Sequence, residues 1–147
     1  MSRNKHILFL CTGNACRSQM AEGWVRHLAS EGVEIKSAGI EAHGKNPRAV
    51  AIMAEVGVDI SGQESTQWTP EMLNWADIVV TVCGHADEQC PALPTGKTRE
   101  HWPLDDPAKA TGTESEIMEK FRSVRDDIEY RIRGLIKQLE RKGNKES

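Results

Sequence analysis

The run Ile7-Leu8-Phe9-Leu10 is short, wholly apolar and stops at a glycine-containing turn, a pattern that predicts a strand buried on both faces. Met20, Ala21, Trp24, Val25 and Leu28 follow at helical spacing and predict a helix over Gln19 to Ser30 that lays this stripe on a sheet. A second strand is expected at Val33 to Ser37. Asn46-Pro47 then supplies an N-cap and a first-turn proline for a helix that carries Val50, Met53 and Ala54 and closes at Gly57. Thr69-Pro70-Glu71 repeats the start signal for a short helix ending at Trp75, ahead of Ile78-Val79-Val80-Thr81-Val82, the clearest strand in the chain. Residues Gly84 to Lys97 read as a loop, Arg99 to Trp102 as a short strand and Pro103 to Pro107 as a turn. The last helix starts at the capping-box pattern Thr113-Glu114-Ser115-Glu116 and bears Ile117, Phe121, Val124, Ile128, Ile132, Leu135 and Leu139 on one stripe.

Strands that alternate with helices predict an α/β fold, a four-stranded parallel sheet joined by right-handed crossovers with helices on both faces. Ligands in such sheets bind beyond the carboxyl ends of the strands. Cys11 follows the first strand, Cys83 the third and Asp106 the last, so all three are expected on one edge.

Composition narrows the setting. The 147 residues, 38% hydrophobic and 28% charged, fit a single domain over 1–147, with residues 141–147 as a frayed tail. No apolar stretch approaches a membrane span or a signal peptide, and the expected location is the cytoplasm. A net charge of −3 excludes nonspecific nucleic-acid binding while allowing a local anion site. Four cysteines in such a chain point to catalysis, transient redox chemistry or metal binding rather than to permanent disulfides.

The turn after the first strand, CTGNACRS at 11–18, concentrates that chemistry. Backbone N–H groups from Thr12 through Gly13, Asn14, Ala15 and Cys16 to Arg17, the helix N-terminus and the Arg17 guanidinium together form a concave site for a tetrahedral oxyanion. The same field is expected to lower the Cys11 pKa, with Ser18 donating a hydrogen bond to the thiolate. Cys16 lies inside the loop and is expected to pack its side chain away from the anion. His43, His85 and His101 are scattered and suit surface or core positions better than a metal site. Taken alone, the turn serves a phosphatase nucleophile, a metal site or one arm of a redox device.

Beyond the turn, CTGNACRSQMAEG resembles the signature of the low-molecular-weight protein tyrosine phosphatase superfamily, and is especially similar to the arsenate reductases of that fold that are reduced by thioredoxin. SAGIEAHG at 37–44, DISGQ at 59–63, ADIVVTVCG at 76–84 and REHWPLDDPA at 99–108 extend the similarity over nearly the whole chain. The resemblance implies Cys11 as nucleophile, Arg17 as oxyanion ligand and Asp106, in its Asp-Pro turn, as general acid. Tyrosines that usually follow that Asp-Pro are missing: the only tyrosine, Tyr130, lies in the last helix.

In the resembling reductases Cys83 and Cys90 complete a relay. The thiol-arsenate adduct on Cys11 is attacked by Cys83, Cys90 attacks next, and a Cys83–Cys90 disulfide is left for thioredoxin. Because a disulfide needs Cα atoms within about 7 Å, residues 84–97, with Gly84, Pro91, Pro94 and Gly96, are expected to move. The resemblance also implies a potassium site at Asn14, Glu22 and Ser37, where Thr66 replaces an acidic residue. Expected partners are arsenate, phosphate and sulfate as oxyanions and thioredoxin as donor, to a monomeric chain with no tightly bound cofactor. Mycothiol or glutaredoxin would use similar thiol chemistry. The rival functions are a phosphatase for phosphotyrosine or small phosphomonoesters, and a thiol redox switch without turnover.

Overall fold

The computed structural model describes residues 5–29, 32–90, 93 and 96–146, without the side chains of His85 and residues 141–146. Ser30, Pro91, Pro94 and Ser147, on which parts of the sequence reading fall, lie outside these residues.

Four strands, β1 (Lys5–Cys11), β2 (Val33–Gly39), β3 (Ile78–Thr81) and β4 (Thr98–His101), form one parallel sheet in the order β2-β1-β3-β4. Helices α1 (Arg17–Leu28), α2 (Pro47–Ala54), α3 (Pro70–Trp75), α4 (Gly84–Gln89) and α5 (Glu114–Glu146) connect and cover it. Ile7, Leu8, Phe9 and Leu10 are all buried, which requires cover on both faces of the central strand. On one side α1 packs with α2 and α5, while α3 and α4 also contact β1. Among the described residues no helix is long and apolar enough to cross a membrane.

Helix starts follow local chemistry. Asn46 accepts the Arg48 N–H at 2.8 Å with Pro47 in the first turn, and Thr69 does the same for Met72 ahead of Pro70. At the head of α5 the Thr113 hydroxyl accepts from Glu116 N and the Glu116 carboxylate accepts from Thr113 N, a reciprocal capping box. Phe121, Val124, Ile128, Ile132, Leu135 and Leu139 are buried along one stripe of that helix. The segment expected to fray continues the helix as far as Glu146.

One element departs from the sequence reading. Residues 84–89 form α4 rather than loop. Gly84 argues against helix, but the buried Ala86 anchors the segment, and Cys83, a residue type outside the usual capping set, accepts the Ala86 N–H on its sulfur at 3.4 Å.

The buried stripe of α5 carries a stability prediction. Ile128→Ala should cost about 2–5 kcal/mol in urea unfolding with an unchanged m-value. Tyr130→Ala, at a position 80% exposed, should stay within about 0.5 kcal/mol.

Candidate active site

The connection from β1 leads toward β2, and that from β3 leads toward β4, so the chain diverges between β1 and β3 at their carboxyl ends. Cys11 closes β1 and Cys83 follows β3 by two residues, one on each side of this crevice.

The loop between Cys11 and Arg17 is shaped from outside. The strand that follows in sequence continues past Gly39 along the loop and donates Ile40 N to Cys11 O (3.0 Å), Glu41 N to Thr12 O, His43 N to Gly13 O and Asn46 N to Ala15 O (each 2.9 Å). The fifth carbonyl, of Asn14, accepts Gln19 Nε2 at 3.0 Å. A planar trans peptide directs its N–H opposite to its C=O. With five successive carbonyls held outward, the N–H groups of residues 12–16 are turned toward the loop's interior, and those of Gly13, Asn14, Ala15 and Cys16 have no protein acceptor among the described residues. This is an anion cradle made of main chain.

Close approach fixes two glycines and one asparagine. A Cβ on Gly39 would overlap Glu41 O and sit 2.6 Å from Asn14 N, and one on Gly13 would overlap the His43 ring. Asn14 takes the left-handed conformation (φ 48°), which asparagine tolerates. Its Oδ1 accepts Thr66 N at 2.8 Å and Gln19 Nε2, while Nδ2 donates to Ser18 Oγ (2.8 Å) and Ser37 Oγ (3.0 Å). The fully buried Gln19 is gripped in turn by Gln63, whose Nε2 donates to Gln19 Oε1 at 2.7 Å. Gln19 and Gln63 stand inside the segments that carry the resemblance, but their pairing across 44 residues has no sequence signal.

Arg17 is buried beneath the cradle. Its Nη1 donates to Leu104 O (3.0 Å) and Val82 O (3.3 Å), and Nη2 lies 3.6 Å from Asp106 Oδ2. Nε is buried with no partner, a donor for which a bound oxyanion is the natural acceptor. Asp106 also caps the 3-10 turn Pro107–Lys109 by accepting Ala108 N at 3.0 Å.

All four cysteines are free and buried. Cys11 and Cys83 lie close enough for each thiol to shift the pKa of the other, and Thr12 Oγ1 lies 3.1 Å from Cys83 Sγ. The Cys11 hydrogen bond, with help from Thr12 and the Ala86 N–H, lowers the Cys83 pKa to about 5. The Cys11 thiol moves the other way: its bond to Cys83 and its burial raise its pKa and outweigh the lowering by Arg17. The two thiols thus titrate as a pair, and Arg17 beside them favours a single negative charge shared between them. Ser18 accepts from Asn14, and no hydrogen bond joins it to Cys11. Burial and the Asp106 charge push the Cys16 thiol up to about 12, which keeps it inert. Burial likewise raises the Cys90 pKa, where α4 ends.

The residues expected to hold potassium do come together, but as a closed set. Ser37 Oγ donates to Glu22 Oε1 at 2.6 Å, and Arg26 Nε holds the other Glu22 oxygen at 2.9 Å. Thr66 N is an obligate donor and so fixes the Asn14 amide with its nitrogen toward Ser37. The carboxylate already has a cation, and the asparagine offers hydrogen rather than oxygen, so these side chains as folded do not fit a potassium ion. No group of three or more His, Cys, Asp or Glu among the described residues could hold a metal.

Residues 6–145 match the low molecular weight phosphotyrosine protein phosphatase family. An arsenate reductase of Halalkalibacterium halodurans is 57% identical over 129 residues, covering 88% of this chain and 93% of the relative. A solved structure described as an arsenate reductase in the phosphate binding state superposes with TM-score 0.73 at 34% identity, over 91% of this chain and 98% of the other. The thioredoxin-dependent arsenate reductase Cg_ArsC1' of Corynebacterium glutamicum gives TM-score 0.77 at 30% identity, over 95% of this chain and 63% of that one. With its cysteine and arginine framing a main-chain oxyanion cradle, the chain belongs to the low molecular weight phosphotyrosine protein phosphatase family.

Proposed function

We propose that this protein reduces arsenate to arsenite with thioredoxin as electron donor, passing two electrons through Cys11, Cys83 and Cys90. The observation that carries the reading is the second thiol, Cys83, set beside Cys11 at the ends of two paired strands and within 3.1 Å of Thr12 Oγ1, because hydrolysis of a phosphate ester needs only the first of these thiols. The relatives described as arsenate reductases, one of them thioredoxin-dependent, support the same choice.

Arsenate enters the cradle as a tetrahedral dianion and completes the bonding of the inward N–H groups and Arg17 Nε. Cys11 attacks arsenic through sulfur. The one proton the pair shares moves to Cys83 as Cys11 bonds to arsenic, so the pair works as nucleophile and base. Asp106 protonates the departing oxygen, which leaves as water, and a Cys11–arsenic(V) bond remains. Thr12 and the Ala86 N–H still favour the anion on Cys83, which passes its proton to an arsenic-bound oxygen and attacks the Cys11 sulfur. The sulfur–arsenic bond breaks, its electron pair passes to arsenic, and arsenite departs as a Cys11–Cys83 disulfide forms. Cys90 then attacks Cys83, releasing Cys11 as thiolate and forming Cys83–Cys90. Thioredoxin reduces that bond. The protein acts as a monomer in the cytoplasm, where its four free cysteines stay reduced between turnovers.

No step passes through potassium. Arg26 supplies the positive charge beside Glu22, and activity should be the same when potassium is replaced by sodium at constant ionic strength; a several-fold drop would restore a cation site.

Given arsenate, thioredoxin, its reductase and NADPH, the wild type should consume NADPH continuously, whereas Cys90→Ser should release one arsenite and stop. Continuous turnover by that variant would remove Cys90 from the relay. Asp106→Asn should slow adduct formation by about 10²–10⁴-fold and leave disulfide exchange intact, as followed by rapid-quench mass spectrometry. In the resting protein, thiolate absorbance at 240 nm should disappear as pH falls through about 5, the pH at which Cys83 takes up its proton. Thr12→Val removes a donor to that sulfur and should shift the midpoint upward. A protein without thiolate absorbance at pH 7 would contradict the charged pair.

A further inference from the structure

Cys83 and Cys90 cap the two ends of α4, seven positions apart in the sequence. At 1.5 Å per residue an intact helix separates their Cα atoms by about 10 Å. A disulfide requires about 4.4–6.8 Å. The helix must therefore unwind before Cys90 can bond to Cys83, and whatever holds it wound opposes the last internal step of the relay.

One side chain from outside the helix bonds to it three times. Arg99, on the edge strand β4, donates through Nη2 to Asp87 O (2.6 Å) and Asp87 Oδ1 (2.9 Å), and through Nη1 to Cys90 O (3.3 Å). A helix C-terminus leaves its last carbonyls without intrahelical partners, and Arg99 fills two of those places at once. Thr81 Oγ1, on β3, donates to the same Asp87 oxygen at 3.0 Å and contacts His101 Nδ1 at 2.8 Å, so the clamp is anchored on two neighbouring strands. These bonds join residues on both sides of the segment that has to rearrange. They form with the helix wound and cannot all survive its unwinding, since Asp87 and Cys90 change their spacing.

We propose that Arg99 is a positioning residue, a latch that stabilises the dithiol form of α4 against the Cys83–Cys90 disulfide and thereby raises the reduction potential of that pair. The proposal rests on the relay described above. No electrons pass through Arg99; it sets the balance between the wound dithiol and the unwound disulfide. Cys90 is buried in the wound form, so release of the latch also exposes the thiol that must ionise to attack. Held this way, the disulfide is easier for a donor dithiol to reduce, and the helix rewinds onto β4 once the electrons arrive.

The test isolates the pair in the full-length chain carrying Cys11→Ser and Cys16→Ala, equilibrated with mixtures of reduced and oxidised dithiothreitol, trapped with an alkylating agent and mapped by mass spectrometry. Arg99→Gln should move the Cys83–Cys90 equilibrium about tenfold toward the disulfide, which for a two-electron couple is about 30 mV more negative. Arg99→Lys, keeping the charge and part of the donor set, should fall between the two. Amide hydrogen exchange at residues 86–90 of the reduced Arg99→Gln protein should accelerate by a similar factor while α5 is unaffected, which separates release of the latch from general loosening. An equilibrium equal to that of the parent would overturn the latch and leave the relay standing. Failure of the parent to form any Cys83–Cys90 disulfide would instead overturn the relay, and the latch with it.

Discussion

The site depends on which way five peptide carbonyls point. Loops of this size ordinarily turn their carbonyls and amides to solvent in mixed directions, and the result has no net polarity. Here the segment after β2 and the Gln19 side chain claim the carbonyls of residues 11–15, and peptide planarity does the rest. The positive interior is thus built from outside the loop, by backbone that the loop itself does not contain. That explains why Gly39 has no room for a side chain: the two strands of main chain must approach closely enough to bond, while Gly13 is crowded instead by the His43 ring.

Arg17 extends this arrangement from binding to sequence of events. It touches the carbonyl just before Cys83, the carbonyl ahead of the Asp106 turn and Asp106 itself, and sits under the loop that carries Cys11. Cys11, Cys83 and Asp106 come from three separate strand ends, and one planar, always charged group binds the main chain or side chain at the last two and lies beside the first. The shared negative charge on the Cys11–Cys83 pair is compatible with burial because Arg17 lies beside it.

The strands and most helices were legible because their signals are local: an apolar run for β1 and β3, Asn-Pro and Thr-Pro starts for α2 and α3, a capping box for α5. Cys11, Cys83 and Asp106 could be assigned to one edge by the topology of parallel sheets alone. What escaped was every feature set by a distant partner. α4 reads as loop because its N-cap is a cysteine and its C-terminal carbonyls are capped from β4. Cys11 looks acidic from its loop, but its titration is coupled to that of a thiol 72 positions away. The closed Asn14–Ser37–Glu22–Arg26 chain resembles a cation site in residue type and differs from one in which atom of the asparagine faces inward.

The place of β4 at the rim of the sheet gives its charged residues a second significance. An edge strand offers unpaired backbone to any passing chain, and Thr98, Arg99 and His101 are exposed along it, with Glu100 half-buried. Unwinding of α4, as proposed above, would uncover more of this edge than the wound helix does. Charged side chains on the strand discourage intermolecular pairing, so Arg99 both holds the helix and guards the edge beside it.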